Sequence, residues 1–268
     1  MQTISFKSWL ETSLRDIIKP VPQSPTHHAE GDVWIHTRMV RKQLAAAVMH
    51  FQELTADKNS AFSNFDPNLT PEEMNILRIG AWMHDIGKAS ATTIGDKPWK
   101  DGGSGAVKAI SHEDPEHFEP MMKQLGEPWQ SMYQKASPQD KEDLWFIIQH
   151  HMSLKDRFGR STLNKLMDET GKFKNDRRVK LLLILILMDQ SGRIRAGQPK
   201  DTNVMPGTSD RMNQSAIEYQ AKKSRMVNNP PAPDDPKAFL DILRGKNLTP
   251  QQIQQAYKGK FGKDLEGM

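Results

Sequence analysis

The chain has 268 residues, enough for one well-filled domain with extensions or for two small ones. It has no cysteine, which removes disulfides, Cys-based zinc sites and a cysteine nucleophile together, so any metal must be held by His and carboxylates. The formal net charge of +4 is a mild basic bias, compatible with a phosphate-bearing substrate or transient nucleic-acid contact but requiring neither.

The first twenty residues place Glu11 and Asp16 within an amphipathic pattern and lack the basic stretch and apolar block of a secretory signal. The longest wholly apolar run, Leu181 to Met188, falls far short of the roughly 20 residues needed to cross a bilayer. The expectation is a soluble, cytoplasmic chain with no membrane partner.

In chain order, helical periodicity predicts helices over residues 4 to 18, 32 to 55, 71 to 85, 115 to 125, 138 to 151, 161 to 168 and 176 to 195. No alternating strand stands out, so the predicted class is all-α. Thr70-Pro71-Glu72-Glu73 and Ser137-Pro138-Gln139-Asp140 each supply an N-cap followed by Pro at the first helical position. Between Ala89 and Ser111 the chain is Gly-rich and polar and reads as a long loop, with Trp99 placed to cover a substrate base. Trp34, Trp82 and Trp145 read as packing residues. Beyond about residue 197 the sequence turns polar. The predicted organisation is a helical bundle over residues 1 to 226, a Pro-rich linker over 227 to 236 and a flexible extension of two short helices over 237 to 268.

Several polar residues fall on inward faces. His36 shares the stripe of Val33 and Val40; His84 and Asp85 continue that of Met74, Leu77 and Ala81; Asp189 follows Leu182, Leu185 and Ile186. After Leu144, Ile147 and Ile148 come His150 and His151, with His151 nearer the stripe and either one open as a ligand. Helix packing alone gives no reason for such groups to converge, whereas a shared cation would compensate them. His27, His28, His50 and His117 are read as solvent-facing.

The order His36, His84-Asp85, Asp189 in an all-helical chain resembles the HD superfamily of metal-dependent phosphohydrolases, with the words HDIGK at 84 to 88 matching its central motif. The stretch GDVWIHT at 31 to 37 is similar to the start of HD domains attached to bacterial tRNA nucleotidyltransferases and of related RNA-repair phosphohydrolases. The likeness covers about residues 27 to 195. No nucleotidyltransferase head precedes it, so transferase activity is not expected.

The resemblance implies one divalent cation held by His36, His84, Asp85 and Asp189. It implies a second held by His112 and one of His150 and His151, with Asp85 bridging. Lys88 would be a catalytic residue beside Asp85, touching a phosphate oxygen but not the ion; Arg193 would add a substrate contact. Imidazole with carboxylate suits Mn, Fe, Co, Ni or Zn better than Mg. The expected function is hydrolysis of a nucleotide or RNA-end phosphate ester, of 2',3'-cyclic phosphodiesterase or 2'-phosphatase type. The alternatives are a (deoxy)nucleotide phosphohydrolase and, from another class, an inactive nucleotide-binding module. No stable protein partner is predicted.

Overall fold

The computed structural model describes residues 13–23, 28–95, 106–109, 112–126, 131, 133–153, 160–168, 170–194, 205–228, 236–244 and 249–262. The fold is all-α, and the chain divides into two compact units, residues 1–219 and 220–268.

In the first unit, residues 13–18 are helical and bury Leu14 and Ile18. Helix α1 (Val33–Lys42) begins where the Asp32 side chain accepts from the Ile35 amide at 2.8 Å. Helix α2 (Leu44–Ala56) starts one residue later, after Gln43. The single helix expected over 32 to 55 is therefore two.

Helix α3 (Pro71–Met83) opens with a full capping box between Thr70 and Glu73. The long loop expected after Ala89 is instead a short helix α4 (Lys88–Ala91) leading into an antiparallel pair, β1 (Thr92–Gly95) and β2 (Ala106–Ala109), with Thr92 opposite Ala109 and Gly95 opposite Ala106. Strands of four residues are too short for alternation to register in the sequence, although Thr92, Thr93, Ile94 and Val107 are β-branched. Trp99 lies outside the described residues.

Helix α5 (Pro115–Gln124) is followed by α6 (Pro138–His150), which Ser137 caps and which continues as a 3₁₀ turn, His151–Ser153. Helix α7 (Arg160–Leu166) precedes α8 (Arg177–Ser191), where Asp176 caps the start by accepting from the Arg178 and Val179 amides. The run Leu181 to Met188 is fully buried, as an all-apolar helix must be, because α8 packs against α1, α2, α3 and α6.

Helix α9 (Met205–Asn228) was not among the expected helices, although residues up to 226 were assigned to the bundle. Its buried positions, Met205, Thr208, Ser209, Met212, Ser215 and Ala216, do follow a helical stripe. Four of the six are hydroxyl or alanine side chains, so the hydropathy signal is weak. In the second unit, α10 (Pro236–Arg244) and α11 (Pro250–Phe261) pack through Phe239, Leu240, Leu243 and Tyr257, and Thr249 and Gln252 close the expected helix start. The Pro-rich residues 229–235 lie outside the described residues. No described helix is long and apolar enough to cross a membrane.

Met212 tests the place of α9 in the core, since it is fully buried whereas Met49 is 62% exposed. Met212→Ala should lower the unfolding free energy by about 2–5 kcal/mol in a denaturant melt, and Met49→Ala should change it little. Equal stabilities would mean that α9 does not seal the first unit.

Candidate metal centre

Five segments deliver side chains to one buried point, His112 coming from the stretch just before α5. Helix α1 presents His36 from the face that buries Val33 and Val40. Helix α3 ends at Met83, and the chain then turns tightly, with Ile86 N bonded to Met83 O and Lys88 N to Asp85 O, both at 3.0 Å. His84, Asp85 and Lys88 thereby all stay inside. The end of α6 supplies His151, and α8 supplies Asp189.

Two glycines permit this convergence. A Cβ on Gly87 would stand 1.9 Å from the carbonyl oxygen of His112, so only glycine lets that backbone lie against the His84-Asp85 turn. A Cβ on Gly192 would stand 2.6 Å from Val40 N, which is how closely the end of α8 approaches α1 and brings Asp189 to His36.

The ring orientations follow from backbone partners. Nδ1 of His84 lies 3.2 Å from Ala81 O, and Nδ1 of His151 lies 2.6 Å from Ile148 O. A carbonyl only accepts, so each Nδ1 carries the proton and each Nε2 presents a lone pair to the interior.

Asp85, only 1% exposed, stands between two sets of these groups. Its Oδ2 lies 3.4 Å from His84 Nε2 and 3.6 Å from His36 Nε2, and its Oδ1 lies 3.0 Å from His112 Nε2 and 3.5 Å from His151 Nε2. Asp189 Oδ1 is 2.9 Å from His36 Nε2 and 3.7 Å from His84 Nε2.

Despite these short separations, Asp85 Oδ1, His112 Nε2 and His151 Nε2 make no aligned hydrogen bond. Buried polar atoms seldom go unanswered. Here several face one another at distances a shared cation would fill. Ligand atoms of His36, His84 and Asp189 lie within 4.8 Å of one another, as do those of Asp85, His112 and His151. The two sets could hold a metal ion, and their donors, imidazole and carboxylate, fit one.

The electrostatics agree. Burial opposes ionisation of Asp85, but Lys88 and the surrounding imidazoles outweigh it and hold the carboxyl well below the usual range. Asp189 is likewise held down against its burial, by Arg193 and His36. Burial lowers His84 and His112, keeping them neutral as ligands must be. His36 is raised, because Asp189 and Glu30 together overcome its burial.

Lys88 and Arg193 both engage carboxylates of the cluster. The ammonium of Lys88 is 2.7 Å from Asp85 Oδ2 and 3.0 Å from Gln23 Oε1, and the residue is 6% exposed. The tight turn after α3 folds it back onto the carboxylate. The guanidinium of Arg193 engages both oxygens of Asp189 one helical turn away.

Of the adjacent pair, His151 joins the cluster. His150 turns aside, its ring 4.7 Å from that of Phe146, and is not among the clustered donors. His28, expected in solvent, is buried and bonded to Glu30 at 2.8 Å. His50 and His117 are part-exposed and bond to Ser209 and Ser90, away from the cluster; His27 lies outside the described residues. Glu30 and Gln23 drew no notice in the sequence because neither sits on a periodic helix face.

No family model matches the chain, and no curated protein or solved structure matches it either. The geometry of the donors therefore carries the functional reading.

Gly87→Ala should displace His112 from Asp85 and weaken metal binding roughly 10- to 100-fold, the range seen when a ligand's support is disturbed. Gly207→Ala, where a Cβ would meet nothing within 4 Å, should leave it unchanged. Metal titration of both folded variants reads the difference, and equal affinities would remove the Gly87–His112 contact from the account.

Proposed function

We propose that this chain is a metal-dependent phosphohydrolase of the HD superfamily, acting on a nucleotide or RNA-end phosphate ester. The observation that carries the reading is Asp85. Its two oxygens face two separate donor sets, His36, His84 and Asp189 on one side and His112 and His151 on the other. That arrangement favours two ions sharing one carboxylate. The imidazole-rich donors favour Mn, Fe, Co, Ni or Zn over Mg.

Ester hydrolysis near neutral pH needs neutralisation of phosphoryl charge and a nucleophile stronger than water, and bound divalent cations supply both. The chain's own residues do the rest. His84 and His151 are locked by backbone carbonyls, so their lone pairs need no reorganisation. Arg193 holds Asp189 in place from behind. Lys88 keeps a compact positive charge beside Asp85, where a phosphoryl oxygen would find it. The wording GDVWIHT favours 2',3'-cyclic phosphodiesterase or 2'-phosphatase chemistry among the reactions such a centre serves.

Purified protein should bind divalent metal and hydrolyse bis-p-nitrophenyl phosphate. A screen of cyclic nucleotides, phosphorylated RNA ends, and nucleoside mono- and triphosphates, each with Mn, Co, Ni, Zn and Mg, should find its best substrate among RNA-end or cyclic phosphates. Preference for a deoxynucleoside triphosphate or a monophosphate would move the assignment within the class. Bound metal without turnover of any ester would leave a binding module.

Two substitutions separate holding the metal from using it. Asp85→Asn keeps the volume and loses the charge both donor sets share, so metal content and activity should fall together. Lys88→Ala removes a cation that competes for Asp85 Oδ2, so metal should bind at least as tightly while turnover falls roughly 10²- to 10³-fold. Parent turnover in Lys88→Ala would show that its charge plays no part in the reaction.

A further inference from the structure

Behind His36, on the side away from Asp85 and Asp189, lies a group of side chains that the proposed reaction does not use. Oε1 of Glu30 is 2.8 Å from His28 Nδ1 and 3.0 Å from His36 Nδ1. Oε2 of the same carboxylate accepts from the backbone amide of Ile194 at 2.9 Å, and Ala29 N bonds to Ile194 O at 2.7 Å. The Glu30 side chain is 0% exposed, and the bend that carries it is turned by Gly31 at φ +120°.

We infer that Glu30 positions the metal centre from behind, fixing the ring of His36 and tying it to the segment that follows Asp189, with His28 holding Glu30 in turn. One carboxylate makes both connections. Through Oε1 it lies 3.0 Å from the ring nitrogen of His36 opposite the one bonded to Asp189, a close contact though not an aligned hydrogen bond; with a cation at Nε2, the proton left on Nδ1 would face this carboxylate. Through Oε2 it fastens the chain at Ile194, five residues after Asp189, beside the Arg193 that grips that ligand. A shift of Glu30 would loosen His36 and Asp189 together.

The three side chains also satisfy the spacing of a metal site in their own right. The pairing of these groups speaks against that use. His28 and Glu30 already share a hydrogen bond, Oε2 is taken by an amide, and a His36 that gives Nε2 to an ion beside Asp189 keeps its proton on Nδ1 and cannot offer that atom as well. The inference rests on the reading of His36 as a metal ligand, and the experiment separates the two.

Full-length Glu30→Ala, Glu30→Gln and His28→Ala would be titrated with Mn²⁺ for affinity and for ions bound at saturation. Cobalt-loaded samples would be compared by visible absorption, and folding checked by circular dichroism. Glu30→Ala should bind Mn²⁺ about 10- to 100-fold more weakly with the same number of ions at saturation, and its Co²⁺ bands should shift.

Glu30→Gln keeps the shape but must point an amide nitrogen at one of its donors, so it should fall between parent and alanine. It decides the matter if Glu30→Ala does not fold. His28→Ala should show a smaller loss than Glu30→Ala. Parent affinity and an unshifted Co²⁺ spectrum in both Glu30 variants would overturn the inference while leaving the metal centre standing. Loss of a bound ion at saturation in His28→Ala would replace it with a third ion site. A parent chain that binds no Mn²⁺ or Co²⁺ would overturn both this inference and the metal reading.

Discussion

The carboxylate of Asp85 is the constraint on which the rest of the structure turns. Leu77, Ala81, Met83 and Ile86, all fully buried, surround it in sequence, and their burial pulls the charge into the core. Each large aliphatic side chain so buried contributes about 1.5–3 kcal/mol. A lone ionised carboxylate in the same place would cost several kcal/mol. The fold resolves that conflict locally: Lys88 answers one oxygen, and His112 and His151 crowd the other. Removing either kind of partner should be felt first at the centre and only then in the core.

Backbone contact, rather than long side-chain reach, sets the geometry. Gly87 lets the main chain at His112 lie on the turn after α3, and Gly192 lets α8 lie on α1. A ligand carried on a rigid element that touches its neighbour directly has little freedom to drift, which a metal site requires. The Gly of HDIGK thus has a packing reason: it stands where His112 must pass.

How much of this was legible in the sequence varied with the physical signal. His36, His84, Asp85 and Asp189 could be placed inward because each extends an apolar stripe with a 3.6-residue period, and the structure buries all four. The choice of His151 over His150 was visible only as a leaning, because the last turn of α6 tightens into a 3₁₀ turn. His28 and Glu30 were not legible. They precede the cap at Asp32 in a bend with no period, and Glu30 is held by Ile194, 164 residues away along the chain, while His28 bonds to Glu30. Helix α9 was missed for the opposite reason: its period is present, but Thr208 and Ser215 on the buried face hide it from any hydropathy scale.

The charges of the cluster bear on the phosphate-ester reading proposed above. Asp85, Asp189 and Glu30 are three buried carboxylates, and Lys88 and Arg193 are two buried cations, so neutral imidazoles leave one net negative charge. That excess lies nearest His36, which contacts Glu30 and Asp189 directly and binds a proton more readily than an ordinary histidine. The place that favours a proton is the place that favours a cation, since both answer the same carboxylates. A divalent ion there carries more charge than the excess it meets. With such an ion bound, the slightly negative cluster would become net positive, the sign that the proposed phosphate-ester substrate would require beside Lys88.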